Sequence, residues 1–160
     1  MMERISKHIS YKEGVRSNTA RRLGIRNTPK PDQLANMKRL AEEVFEPLRR
    51  HFGVPIKINS FFRSPRLNKA VGGSGNSQHC KGQAIDIDDT YGGVTNMEMM
   101  HWIKDNVSFD QMIIEYPING KPQWIHVSYV SPFQNRGSIL VAKRIKGRTR
   151  YLMWDGKNHR

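Results

Sequence analysis

The strongest constraint on the fold is a short stretch, residues 83–88, in which apolar and polar residues alternate. Asp86 and Asp88 occupy alternate positions, with Ile85 and Ile87 before each of them. Because successive side chains of a β-strand point to opposite faces, the two aspartates share one face of the predicted strand. One face of this strand is therefore apolar, and the other carries carboxylates.

The rest of the chain mixes helical and strand patterns. Apolar residues recur at three- and four-residue steps after Pro31, which predicts an amphipathic helix over residues 31–48. Segments 108–116 and 124–129 flank the turn-rich residues 117–122 and are expected to pair as an antiparallel hairpin. Further patterns predict short helices over 19–25 and 67–71, a helix over 96–106, a strand over 56–60, and a final hairpin of 138–142 with 148–154.

The length of 160 residues suits one domain, and its basic residues are concentrated at the two ends. Residues 1–30 hold eight Lys or Arg and two acids, and residues 136–160 hold eight and one. We divide the chain into a basic N-terminal arm, 1–30, packed on a domain of residues 31–160. The formal net charge of +13 favours polyanionic partners, and nucleic acid, anionic lipid and the teichoic-acid-bearing bacterial wall all satisfy it.

The single cysteine, Cys80, excludes an internal disulfide and a zinc site built from several cysteines. The N-terminus has no apolar signal-peptide core, and no stretch approaches the ~18 apolar residues of a membrane helix. We therefore expect a protein that is made in the cytoplasm without a signal peptide or a membrane span.

Two histidines and an aspartate have the composition of a metal site. His79 precedes Asp86 by seven positions, close enough for one ion to bridge them across a turn, and His126 lies within the predicted strand 124–129. Zn²⁺ accepts imidazole nitrogen and carboxylate oxygen, and catalytic zinc sites use three protein ligands with a fourth position for water. The three residues meet that requirement, although isolated histidines are more often surface or core residues than ligands.

The residues around these three positions form a longer motif. Residues 77–86 read Ser-x-His-x-x-Gly-x-Ala-x-Asp, and residues 124–126 read Trp-x-His. With segments 60–65 and 109–111, they resemble the zinc D-Ala-D-Ala peptidase family, in its compact, endolysin-like form common in phages. The resemblance covers about residues 31–129.

The resemblance implies a fold and a set of roles. The fold would be a small single α+β domain with a central antiparallel sheet flanked by helices, Hedgehog-like, with one zinc ion on the sheet. His79, Asp86 and His126 take the ligand positions. Arg63 takes the position that binds a substrate carboxylate or polarises the carbonyl under attack, with a structural salt bridge as the alternative. Ser77 matches a serine that hydrogen-bonds substrate, with a loop-stabilising hydroxyl as the alternative.

The general base departs from the family pattern. Many members carry Glu or Asp three residues before the last histidine, and here Gln123 occupies that position. Glutamine is not a useful proton acceptor, so Glu115 on the preceding strand is the predicted replacement. For Glu115 the alternative is a supporting contact to a metal ligand or a simple ion pair. Asp88, on the same face as Asp86, is a supporting partner or a replacement ligand.

The resemblance implies zinc-dependent hydrolysis of peptide bonds in bacterial peptidoglycan, by a carboxypeptidase or an endopeptidase. A monomeric phage lysis enzyme would be made in the host cytoplasm and act on the anionic cell wall after release. The alternative from another class is a wall-binding module in which zinc only holds the fold. Nucleic-acid binding is a third class, but no helix-turn-helix, RNA-binding sheet motif or zinc-finger spacing is present, so no specific nucleic acid is expected.

Overall fold

A computed structural model describes residues 3–157 and contains a six-stranded sheet with helices packed against it. The helices are α1 (Tyr11–Val15), α2 (Asn18–Leu23), α3 (Pro31–Leu40), α4 (Glu46–Phe52), α5 (Pro65–Ala70) and α6 (Asn96–Asn106). A π-helical turn, Ala41–Phe45, joins α3 to α4, and Gln78–Lys81 form a single 3₁₀ turn. The strands are β1 (Lys57–Ser60), β2 (Ala84–Asp88), β3 (Gln111–Glu115), β4 (Trp124–Ser128), β5 (Ser138–Ile145) and β6 (Arg148–Met153).

The sheet has the strand order β1-β2-β4-β3-β5-β6 and is mixed rather than purely antiparallel. The predicted hairpin of β3 with β4 is present, and the β1–β2, β2–β4 and β5–β6 pairs are also antiparallel. The β3–β5 pair is parallel, which corrects the expectation of an antiparallel sheet. The reason is topological. β2 and β3 occupy both edges of β4, so β5 adds to the free edge of β3. Because β4 ends beside the start of β3 and a short connection leads from there into β5, the two strands β3 and β5 begin at the same end and run parallel.

The two faces of the sheet have different characters, as the alternation in β2 predicts. One face is apolar and packs under the long helical segment, where Met37, Leu40 and Leu48 are fully buried. The strand residues on this face are Ile85, Ile87, Met112, Ile114, Ile125, Val127 and Val141, all of them buried. Burial of this apolar surface is the main stabilising contribution to the fold. The opposite face is left to carry polar side chains.

The predicted helix over 31–48 is interrupted and runs on to Phe52. Its three parts are α3, the π turn and α4, and the N–H of Glu46 donates to the carbonyl of Ala41. Pro47, which has no N–H to donate, lies two residues after Phe45, the last residue of the π turn. The irregular backbone is therefore placed where the proline already interrupts the hydrogen-bond ladder.

The N-terminal segment contributes to the same core and to the loop after β1. Ile5 and Ile9 are buried within the main apolar cluster. The Asn27 side chain donates to the Phe62 carbonyl at 3.0 Å and accepts from the Ser64 N–H at 2.7 Å. This amide thereby fixes the backbone on both sides of the residue between them.

The last strand, β6, forms an exposed edge of the sheet. Its apolar residues Leu152 and Met153 are exposed, and so are the basic residues Arg148 and Arg150. Lys143 on β5 lies directly opposite Arg150, so two positive charges face each other across the strands. Among the described residues, no helix has the length and apolar character needed to cross a membrane.

Candidate metal centre and cleft

The polar face of the sheet brings Asp86 and His126 together. The two residues are directly opposite each other on the antiparallel strands β2 and β4, and Asp86 Oδ1 lies 3.0 Å from His126 Nδ1. Directly opposite residues of neighbouring strands have side chains in contact range, so this approach follows from the strand register. The aspartate predicted to be a ligand therefore meets the histidine from a segment forty residues later.

His79 reaches the pair from the 3₁₀ turn. The Ser77 hydroxyl caps this turn by accepting from the His79 N–H at 3.3 Å, and Gly82 ends it in the left-handed conformation, φ +72°. A Cβ at Gly82 would also lie 2.3 Å from the Gln33 carbonyl oxygen on α3. The His-x-x-Gly spacing thus reflects a turn that only glycine can close against the helix. Neighbouring Cys80 is half-buried and outside the group of candidate ligands.

The three side chains fit a metal ion. Their ligand atoms lie within 4.8 Å of one another. His79 is buried, and its Nδ1 lies 2.7 Å from the Phe61 carbonyl, to which it donates; this leaves Nε2 as the free acceptor. Nε2 lies 3.3 Å from Asp86 Oδ1 and makes no hydrogen bond with a described residue. A buried acceptor without a donor is costly, and a bound cation would satisfy it.

The charge states also suit metal binding. Burial lowers the pKa of His79, which keeps its imidazole neutral and able to coordinate. Burial would raise the pKa of Asp86, but the two neighbouring imidazoles outweigh it and hold this pKa far below its usual range. The group therefore offers the neutral imidazole of His79, the imidazole of His126 and the carboxylate of Asp86, a donor set that Zn²⁺ accepts.

A cleft of about 700 Å³ opens over the three ligands. We call it the central cleft. Its other walls include Arg63, Gly73, Ser77, Glu115, Trp124, Arg136, Leu140 and Tyr151. The candidate residues Arg63, Ser77 and Glu115 therefore lie in one cavity with the ligands, whereas Gln123 is exposed and does not line it.

Glu115 occupies the end of β3, on the same face as the ligands. It pairs with Trp124 on β4, one row of the sheet away from His126, and is only 8% exposed. Burial raises its pKa to about 7, with a further contribution from the Asp86 charge, although His126 and Arg63 oppose the shift. A carboxyl group whose pKa lies near neutrality can both accept and return a proton.

Arg63 lies beside the 3₁₀ turn and has no acidic partner within ion-pair distance in the described chain. Its backbone N–H donates to the His79 carbonyl at 3.2 Å, and its Nη2 lies 3.5 Å from Ser77 Oγ. Its Nε is buried and makes no hydrogen bond with a described residue. The salt bridge considered as the alternative for Arg63 is therefore not formed. Ser77 both caps the turn and faces the cleft.

Asp88 lies outside the ligand group. Its carboxylate accepts hydrogen bonds from the Thr90 hydroxyl at 2.9 Å and from Asn96 Nδ2 at 3.1 Å. These contacts and the Asp89 N–H lower its pKa against the effect of partial burial. Asp88 therefore stabilises the loop that leads into α6, and the group that can hold a metal contains Asp86 instead.

The sequence patterns did not identify two other polar residues that meet at the cleft. Asp110, expected only as a turn or strand-end residue, lies directly before β3 and is buried. Arg136, from the loop before β5, binds this carboxylate and lines the central cleft. The side chains of Leu140 on β5 and Tyr151 on β6 also line it. The sequence signals for this wall were the family resemblance of residues 109–111 and a looser resemblance of residues 135–136 and 140–142, none of which predicted a role in the cleft.

Comparison with known protein families identifies the family of this chain. The family model described as Peptidase M15 matches residues 7–128, which is more than half of the chain and includes all three candidate ligands. The match begins earlier than the resemblance carried by the motifs, which began at residue 31. A search of curated proteins finds no match to this chain. The chain belongs to the peptidase M15 family, the zinc D-Ala-D-Ala peptidases.

Proposed function

We propose that this protein is a zinc-dependent hydrolase of peptide bonds in bacterial peptidoglycan, with the fold of the D-Ala-D-Ala peptidases. The observation that carries the proposal is the position of Glu115, a buried carboxyl group in the same cleft as His79, Asp86 and His126. A metal site that only holds a fold is normally closed by a fourth protein ligand, whereas this group has three and faces a cavity.

The zinc ligands and Glu115 have separate roles in the proposed hydrolysis. His79, Asp86 and His126 hold zinc, which when bound polarises the scissile carbonyl and makes water more acidic. The Glu115 carboxylate takes a proton from the attacking water and returns it to the nitrogen of the leaving amine. The hydrogen bond from His79 Nδ1 to the Phe61 carbonyl keeps the ring oriented with Nε2 toward the cleft.

Arg63 orients the substrate. Within residues 3–157 its Nε is buried without a hydrogen-bond partner and no carboxylate pairs with it, so its donors are available to a substrate carboxylate or to the oxyanion that forms on the attacked carbonyl. Ser77 adds a hydroxyl at the same wall of the cleft. In this reading the +13 charge lengthens the residence of a monomeric phage lysis enzyme on an anionic wall, to which it gains access after release from the host cytoplasm.

A second candidate function is a wall-binding module in which zinc is purely structural. The observation in its favour is Gln123, which stands where many family members carry an acid. The two functions differ in what Glu115 does. In the hydrolase it is required for cutting, and in the module it is dispensable.

Digestion of purified peptidoglycan tests the proposal. The zinc-loaded protein, the chelated protein, Glu115→Gln and the matched control Gln123→Ala are incubated with walls of different types, and released fragments are identified by mass spectrometry. Zinc-dependent fragments that disappear with Glu115→Gln and persist with Gln123→Ala support the hydrolase and identify the bond. No release from any wall by a protein that has bound zinc supports the binding module instead.

A further inference from the structure

A buried carboxylate holds an exposed guanidinium at one end of the central cleft. Asp110 is 3% exposed, whereas the Arg136 side chain is 59% exposed. Arg136 Nε donates to Asp110 Oδ1 at 2.9 Å, its Nη2 donates to Oδ2 at 2.8 Å, and its backbone N–H donates to Oδ1 at 3.0 Å. The hydrogen bonds from the guanidinium are the main reason that the pKa of Asp110 is lowered, so the carboxylate stays charged.

The same carboxylate is tied to the metal centre. Gln78 Nε2 donates to Asp110 Oδ2 at 3.0 Å, and Gln78 is the residue before His79 in the 3₁₀ turn. The orientation of Arg136 is therefore coupled, through Asp110 and Gln78, to the turn that carries His79. Burying a charged carboxylate costs free energy, which its paired donors must offset. An exposed arginine is well solvated without a buried carboxylate, so solvation alone does not explain this pairing.

Arg136 keeps unused donors. A guanidinium has five N–H groups, and Nε and Nη2 use one each on Asp110. The remaining three make no hydrogen bond with a described side chain, and the residue lines the cleft. A fork of free donors at a fixed orientation matches the two oxygens of a carboxylate.

Arg136 and the residues proposed to act on the cleaved bond lie at different positions along β3. Glu115 lies at the end of β3, His126 pairs with Ile113 in the middle, and Asp110 precedes the first residue of the strand. Asp110 is thus three residues before Ile113, a separation of roughly 10 Å along a strand. Asp110 and the Arg136 guanidinium that it binds therefore lie toward the start of β3, whereas Glu115 lies at its other end, and the separation of Asp110 from the row of His126 corresponds to about two to three residues of extended peptide.

We propose that Arg136 binds a carboxylate of the peptide substrate at a position two to three residues from the cleaved bond. The inference rests on the proposed function and deepens it, because it makes the substrate an acidic peptide. Arg63 serves the reacting bond, and Arg136 selects the peptide at a second, separate point. Amidation of the recognised carboxylate removes the charge and half of the acceptors, and the guanidinium then loses its partner.

Binding to matched peptides tests this assignment. The probes are a stem peptide of peptidoglycan and derivatives in which one of its carboxylates at a time is converted to the amide. Dissociation constants are measured by calorimetry with the full-length chelated protein, and kcat/KM with the zinc-loaded protein. The variants are Arg136→Ala, Arg136→Lys and the control Arg144→Ala, which alters an exposed arginine outside the cleft.

We expect one amidation to weaken binding to the wild-type protein and to Arg144→Ala by about 10- to 100-fold. The same amidation should change binding to Arg136→Ala by less than about twofold, and Arg136→Lys should give an intermediate penalty because lysine lacks the fork. If amidation weakens binding to wild type and to Arg136→Ala by the same factor, the inference is overturned. It is also overturned if Arg136→Ala weakens binding of every peptide, amidated or not, by the same factor. If the zinc-loaded wild-type protein does not cut the peptides but the expected amidation penalties on binding are observed, the proposed hydrolase function is contradicted and the role of Arg136 in binding is not.

Discussion

Glu115 on β3 and His126 on β4 point to the same face of the sheet, one row apart, because Glu115 pairs with Trp124. The candidate base and a candidate metal ligand are therefore placed by strand register rather than by a loop. Side chains on neighbouring strands keep their spacing as long as the ladder of backbone hydrogen bonds is intact. Because Glu115 is held in this buried position in the folded state, its ionisation should change the free energy of unfolding.

The first prediction concerns the pH dependence of stability in the metal-free protein. The pKa of Glu115 is raised from 4.5 to about 7. Between these values the unfolded chain has lost the proton and the folded chain still holds it, so stability falls as pH rises through this window. Above pH 7 the buried charge costs up to about 3 kcal/mol, which Glu115→Gln should recover.

Urea denaturation of the chelated proteins at pH 4.5 and pH 8 measures this effect. Glu115→Gln should match the wild type at the lower pH and exceed it in free energy of unfolding at the higher pH. Exposed Glu42 provides the control, because Glu42→Gln should leave the pH dependence unchanged. An unchanged difference between Glu115→Gln and wild type at the two pH values would contradict the prediction.

The second prediction concerns zinc. A ligand that binds only the folded state, at a free concentration of about 1,000 times its Kd, stabilises the folded state by about 4 kcal/mol. This raises the Tm of a chain of this size by about 10 °C. Asp86→Asn should lose most of that rise, since it removes the carboxylate between the two imidazoles. Asp88→Asn, two residues away on β2, should keep it. Differential scanning fluorimetry with and without zinc gives the answer, and equal rises in both variants would exclude Asp86 as a ligand.

The third prediction concerns Gly73 in the loop that leads to Ser77. A Cβ at this position would lie 2.0 Å from Asn68 Oδ1, and the buried Asn68 side chain donates to the Ser74 carbonyl at 2.8 Å. Gly73→Ala should therefore cost about 1–3 kcal/mol of stability and lower peptide hydrolysis, because the loop must move. A Cβ at Gly75 meets no atom within 4 Å, so Gly75→Ala is the matched control. Thermal unfolding and kcat/KM that are equal in the two variants would rule out this packing constraint.

The fourth prediction concerns Asn27, which bonds the backbone on both sides of Arg63. Asn27→Ala removes its bonds to the Phe62 carbonyl and the Ser64 N–H and should destabilise the fold by about 1–3 kcal/mol. It should also lower kcat/KM by about 10-fold or more, since a guanidinium displaced by 1 Å binds its target poorly. The control is Asn18→Ala, which alters an exposed side chain that accepts a hydrogen bond from the nearby Arg21 side chain. Retention of full kcat/KM by Asn27→Ala would show that Arg63 does not depend on this support.

Local patterns predicted the two strands that carry the candidate ligands Asp86 and His126. Alternation along β2 fixes the face of Asp86, and the predicted helix over 96–106 has the bounds observed for α6. The family expected from the motif was confirmed by the match to Peptidase M15. These features depend on side-chain periodicity or on a short motif, both of which are visible within about ten residues of chain.

The features that sequence analysis missed depend on contacts between distant segments. Arg136 and Asp110 are 26 residues apart, and neither belongs to a periodic pattern that points to the other. The parallel pairing of β5 with β3 follows from which strand edges are already occupied, a property of the assembled sheet. Gly82 is part of the recognised motif, but the reason for a glycine there, its close approach to the Gln33 carbonyl on α3, appears only in the structure. Such constraints come from tertiary packing, which local propensity does not report.

The exposed edge strand β6 has a consequence for solubility. Its unpaired backbone groups, with exposed Leu152 and Met153, form a template onto which the same strand of another molecule can add. Arg148 and Arg150 oppose this by repulsion between like charges. The range of that repulsion shrinks from about 10 Å in 0.1 M salt to about 3 Å in 1 M salt. Dilute electrolyte therefore keeps the molecules apart, and concentrated salt favours their aggregation edge to edge.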